Sequence, residues 1–176
     1  MIRLTSIRHR FRQGVAALLP RTGSLDSSLA VEWLTSDQIP LFDRMSAHDR
    51  AHSLRVAGRL LADGHADRDL IAAALLHDVA KAGTPQIPGQ VRLPDRVLRV
   101  LLGQFTPAAL RWLASNHDRP GCRGLYLATH HARLGSINAS EAGSSARTVW
   151  LIAHHEDTAS SDPELRALVA TDDASH

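Results

Sequence analysis

Cysteine, lysine and aromatic residues are nearly missing from this chain of 176 residues. The sole cysteine, Cys122, excludes an internal disulfide and any thiolate-rich zinc site, which permits a reducing compartment. Aromatic residues make up only 4% while alanine and leucine are abundant, which disfavours sheets and suits closely packed helices. No apolar run approaches the roughly 20 residues needed to span a bilayer. The stretch Val15-Ala-Ala-Leu-Leu-Pro20 is too short for a secretory core and is followed by Arg21. The expected location is therefore cytoplasmic, with no membrane association. A net charge of only +2 singles out no partner. Lys81 is the one lysine, and arginine supplies the rest of the 20 basic side chains.

What the chain has in plenty is apolar helix and histidine. With 44% hydrophobic residues it can bury one core, expected over residues 31–176. Residues 1–30 form a basic N-terminal arm: Arg3, Arg8, Arg10, Arg12 and Arg21 all precede the first acid, Asp26. Ile7, Phe11, Val15 and Leu18 recur at helical spacing in that arm. A stripe of this kind packs on the domain or on a second subunit more readily than on nucleic acid, so a homodimer is left open. From Ser36 the pattern is helical: 36–63 as two helices meeting near Ser46, then an apolar helix from Asp67 or Asp69 to about Lys81. Residues 84–94 read as a loop. Asp95 and Pro107 open further helices, 116–124 is a second loop, and helices follow over 125–133, 137–142, 146–156 and 163–172. The expected architecture is all-α, with six to eight helices.

Of the eleven histidines, several stand at the ends of these apolar stretches. His77-Asp78 closes Leu70-Ile-Ala-Ala-Ala-Leu-Leu76. A carboxylate beside an imidazole at such a place is costly unless something pairs with both, and a divalent cation would. A capped helix end explains the dipeptide equally well on its own. His52 lies on the preceding helix, where a hairpin returns it to the level of His77, and His48 sits one turn before it. The doublets His130-His131 and His154-His155, and then Asp172, repeat the arrangement. Several apolar helices ending in His or Asp would otherwise leave charged groups near the core.

Three blocks carry a specific resemblance: Asp49-Arg-Ala-His52-Ser-Leu-Arg-Val56, Ala73-Ala-Leu-Leu-His77-Asp78-Val-Ala-Lys81 and Ala167-Leu-Val-Ala-Thr-Asp172. Between about Phe42 and Asp172 the sequence resembles the HD-domain superfamily of metal-dependent phosphohydrolases, marked by an early His, a central His-Asp and a late Asp. The resemblance implies an HD-type helical bundle with His52, His77, Asp78 and Asp172 as core metal ligands. His131-Ala-Arg-Leu-Gly135 and Ile152-Ala-His154-His155-Glu156 resemble blocks of the binuclear branch that includes HD-GYP proteins. By that resemblance His131, His154 and His155 serve a second metal bridged by Asp78. His48 stands where some members place another ligand. Ala132 replaces the usual proline, so His130 and His131 compete for one role. Asp173 or Asp162 could replace Asp172. No Gly-Tyr-Pro follows Glu156, which argues against cyclic-di-GMP hydrolysis.

Imidazole and carboxylate ligands suit one or two divalent transition ions: Fe, Mn, Co, Ni or Zn. Such a pair activates water for in-line attack on phosphorus. The expected activity is hydrolysis of a phosphomonoester or phosphodiester on a small substrate, foremost a nucleotide. Asp78 is the central catalytic carboxylate, Lys81 the candidate phosphate contact and Asp49 a candidate for orienting a histidine or moving a proton. Arg50 and Arg133 are weaker candidates of the Lys81 type. The alternatives are a metal-keeping signalling module with little turnover and a diiron oxygenase on the same scaffold.

Overall fold

The computed structural model describes residues 27–175, which form an all-α arrangement with no strand among them. Nine α-helices follow in order: α1 Ser28–Trp33, α2 Ile39–Asp43, α3 Ala47–Ala62, α4 Arg68–Leu76, α5 Leu93–Phe105, α6 Pro107–Leu113, α7 Arg123–Glu141, α8 Ala146–His154 and α9 Pro163–Ala174. A short 3-10 turn, Val79–Ala82, follows α4. The stripe Ile7, Phe11, Val15 and Leu18 lies outside the described residues. No helix among them is long and apolar enough to cross a membrane.

Helix α4 is the axis of the bundle. Asp67 caps it by accepting from the backbone N–H groups of Asp69 and Leu70 at 2.9 and 3.0 Å. Every residue from Leu70 to Leu76 is buried, because α3, α8, α9, α1 and α2 surround it. Its four large aliphatic side chains each contribute about 1.5–3 kcal/mol by leaving water. That surrounding shell explains a helix apolar on all sides.

Ser46 separates α2 from α3. Its hydroxyl accepts from the Asp49 N–H at 3.1 Å and donates to the Asp49 carboxylate at 2.7 Å. Residues 125–133 and 137–142 belong to one continuous helix, α7, although the sequence pattern suggested a break between them. Gly135 keeps that helix unbroken where it lies against the 3-10 turn. A Cβ there would sit 3.5 Å from the His77 carbonyl, Val79 and Ile152, so the packing is already at contact distance.

Past the 3-10 turn the chain reverses at Gly83, whose φ of +78° suits glycine. A Cβ there would meet Gly89 and Ile87 backbone atoms within 2.8 Å. The loop then folds back, and Val91 N–H donates to the Lys81 carbonyl at 2.8 Å while Ile87 and Val91 are buried beside Leu127.

Helix α5 differs from the others: none of its residues is buried, and Leu93, Val97, Leu98, Val100 and Leu101 are exposed. It rests on α7 and α6 and is fastened by polar bridges. Arg96 donates to Asp49 at 2.6 Å and Arg99 to Glu156 at 2.5 Å.

Candidate metal centre

Buried histidines and aspartates converge at the inner end of α4. His52 comes from the middle of α3, and His77 and Asp78 from the turn where α4 passes into the 3-10 turn. His131 lies in the middle of α7, His155 caps the C-terminus of α8, and Asp172 projects from α9. All except Asp172 are buried to 3% exposure or less. Two groups of donor atoms result, His52 with His77 and Asp172, and Asp78 with His131 and His155.

In the first group His77 Nε2 lies 3.6 Å from Asp172 Oδ1, and His52 Nε2 is 2.7 Å from the same oxygen. In the second, His131 Nε2 is 3.2 Å from His155 Nε2 and 3.5 Å from Asp78 Oδ1. Asp78 adjoins both groups, because its other oxygen is 3.6 Å from His77 Nε2. Metal–ligand bonds of about 2.1 Å place neighbouring donor atoms about 3.0–3.4 Å apart, close to most of these separations. The groups could therefore hold a cation each, with Asp78 facing both.

Three of the imidazoles are oriented by the same device. His77, His131 and His155 each donate Nδ1–H to the carbonyl three residues back: Ala74 at 2.9 Å, Ala128 at 3.0 Å and Ile152 at 2.8 Å. A carbonyl only accepts, so the proton sits on Nδ1, and in the neutral ring Nε2 presents a lone pair inward. His131 and His155 then aim two lone pairs at each other. Such a contact is repulsive in a dry interior without positive charge between the rings. His77 Nε2 and Asp78 Oδ1, both fully enclosed, make no hydrogen bond among the described residues. An orphaned buried carboxylate oxygen such as Asp78 Oδ1 fits a cation site.

The charges are arranged to match. Burial pushes His131 and His155 below the ordinary histidine range, with Lys81 and His77 respectively adding to the effect, so both are neutral donors. Burial would also lower His77, but the Asp78 and Asp172 carboxylates outweigh it and raise the group to about 9. Burial alone would raise both carboxyls. Lys81 and His77 instead hold Asp78 far below the carboxylate range, and His77 with the His52 hydrogen bond does so for Asp172. Lys81 Nζ donates to Asp78 Oδ2 at 2.6 Å.

The remaining sequence candidates sit elsewhere. His154 is exposed: its Nδ1 donates to the Trp150 carbonyl at 2.8 Å and its ring stacks on Trp150. His130 points away from the centre and donates Nε2–H to the Ala114 carbonyl at 2.9 Å, so His131 is the member of that doublet at the centre. His48 is exposed. Asp162 caps α9 and pairs with Arg147 at 2.7 Å, and Asp173 lies on the exposed face of α9. Arg50 caps α2 through the Asp43 carbonyl at 2.7 Å, and Arg133 is exposed. Asp49 is buried and bonds Ser46 and Arg96.

The structure adds two rim residues that the sequence reading passed over, Arg96 and Arg99, and pairs Arg99 with Glu156, which the sequence reading quoted only as the end of a block. The i, i+3 spacing of the two arginines on α5 was the available signal, since it puts both on one face. No family model, no curated protein and no solved structure matches the chain.

Proposed function

We propose that this chain is a metal-dependent phosphohydrolase of the HD-domain kind, acting on a phosphomonoester or phosphodiester, foremost a nucleotide. The observation that carries the reading is the pair of donor groups sharing Asp78. His52, His77 and Asp172 would hold one divalent cation; Asp78, His131 and His155 would hold the other. Bound there, the cations supply an acidified water and positive charge against phosphate oxygens.

The chain's own residues do the rest. The carbonyls of Ala74, Ala128 and Ile152 keep three imidazoles aimed, so the donor set is assembled before any ligand arrives. Lys81 is 14% exposed and rests on Asp78. Once Asp78 is engaged by cations, its ammonium can turn to a phosphate oxygen. Asp49 bonds Arg96 and accepts from the Ser46 hydroxyl that caps its helix, so its part is to hold that guanidinium beside α3 rather than to move a proton. Arg96 and Arg99 add positive charge at the rim, which suits an anionic substrate.

Elemental analysis of untreated protein, followed by a phosphatase and phosphodiesterase screen with Mn²⁺ and Fe²⁺, tests the proposal. The expected result is bound transition metal together with phosphate or nucleoside release that disappears in His77→Gln. Metal-replete protein that turns over no phosphoester would rule it out, and oxygen-dependent turnover would point to the oxygenase alternative.

A further inference from the structure

We infer that Glu156 is a ligand of the cation held by Asp78, His131 and His155, and that Arg99 competes with that cation for it. The inference rests on the proposed metal centre and extends it. Three protein donors leave a transition-metal shell incomplete, and the other histidine of the doublet does not complete it: His154 is bonded to the Trp150 carbonyl and stacked on its ring. Glu156 follows His155 immediately, just past the end of α8. Its Oε1 lies 4.0 Å from His131 Nε2, the nitrogen that also faces His155 and Asp78. For bonds of about 2.1 Å, donors on one ion are separated by about 3.0 Å when adjacent and up to about 4.2 Å when opposite. Glu156 therefore stands within that range of His131, one donor of the group, and its side chain must turn toward Asp78 and His155 to complete the set.

The same oxygen is held by Arg99 of α5 at 2.5 Å. Both partners are partly exposed, 33% for Arg99 and 41% for Glu156. A solvent-facing ion pair of this kind contributes little, because water and salt screen it. A divalent ion with two neutral imidazoles and one shared carboxylate still carries uncompensated positive charge, and a second carboxylate offsets it. The cation therefore wins the competition. Filling the site then releases Arg99 from Glu156, and the guanidinium becomes free to face an anion at the rim.

Titration of the full, metal-free chain with Mn²⁺, with free Mn²⁺ followed by electron paramagnetic resonance, tests this without relying on turnover. Wild type is expected to take up two ions. In Glu156→Gln the tighter ion is retained and the second weakens about 10- to 100-fold. In Arg99→Gln, which frees the carboxylate, the second ion binds about two- to five-fold more tightly. Both substitutions break the same ion pair, so a purely structural role moves the two affinities in the same direction, and that result would overturn the inference. Two ions bound by Glu156→Gln as tightly as by wild type would also overturn it. An Arg99→Gln titration identical to wild type removes the competition. Wild type that takes up no Mn²⁺ at all removes the metal centre itself, which separates failure of that reading from failure of this one.

Discussion

Loading the metal-free protein with a divalent cation near neutral pH should release close to one proton, and the proton should come from His77. Asp78 and Asp172 hold this imidazole's pKa at about 9 in the empty centre. At about pH 7 it is therefore protonated roughly 100:1. A cation taking His77 Nε2 as a donor must displace that proton. Four of the other donors add nothing to the count: burial keeps His131 and His155 neutral, and Asp78 and Asp172 are already ionised. Release should stay near one proton from about pH 6.5 to 8 and fall to about half a proton near pH 9. Calorimetric titration in two buffers of different ionisation enthalpy measures it directly. Release of no protons at neutral pH would show that the carboxylates do not hold His77 charged. Release of three would show that the facing pair His131 and His155 is at least partly protonated, which would refute the lone-pair argument. The same shift has a stability counterpart. His77 is raised from 6.5, so its contribution, about 3 kcal/mol, is complete below about pH 6.5 and is lost as pH rises through about 9. The depressed carboxyls of Asp78 and Asp172 work at the other end. Their contribution is present above the ordinary carboxylate range and is lost as pH falls below it.

Three further outcomes are expected. His154→Ala should leave the metal content unchanged, whereas His155→Ala should lose one of the two ions, as read by elemental analysis of each purified variant. Gly83→Ala should lower unfolding free energy by about 1–3 kcal/mol in urea titration, because its φ is positive and a Cβ would strike backbone atoms within 2.8 Å; wild-type stability would contradict that geometry. Asp49→Asn should destabilise by about 1–3 kcal/mol, because it weakens the charge-assisted bond to Arg96. If Asp49 only holds Arg96, the variant raises KM for an anionic substrate more than it lowers kcat; the reverse split would restore a proton-transfer role.

The fold class was legible because its signals are local. Two helices meet near Ser46, which caps the second, and Asp67 caps α4 where the sequence offered it; Asp162, read as a substitute for Asp172, caps α9 instead. Other features depend on what packs alongside. Gly135 resembles a helix stop in isolation, yet it lies inside α7, packed at contact distance against the His77 carbonyl, Val79 and Ile152. Helix α5 carries the apolar residues Leu93, Val97, Leu98, Val100 and Leu101. They are exposed, and what fastens the helix is the pairing of Arg96 and Arg99 with carboxylates far away in sequence, which no period reveals.

The doublets show why the site was only half legible. Adjacent helical positions point about 100° apart, so one histidine of each pair must leave the centre, and composition cannot say which. The deciding factor is the wall each ring meets. His131 and His155 tie Nδ1–H to carbonyls of their own helices and turn Nε2 toward the centre, while His130 and His154 find carbonyls on the outer side. His77 obeys the same rule through Ala74, so three helices each present an imidazole tied to the carbonyl three residues earlier. That shared tie costs each helix little, since the bonded carbonyls lie in the last turn of α4 and α8 or gain a second donor in α7. It also means the centre is aimed by backbone rather than by other side chains. Substitutions around it should therefore change what binds there well before they change where the imidazoles point.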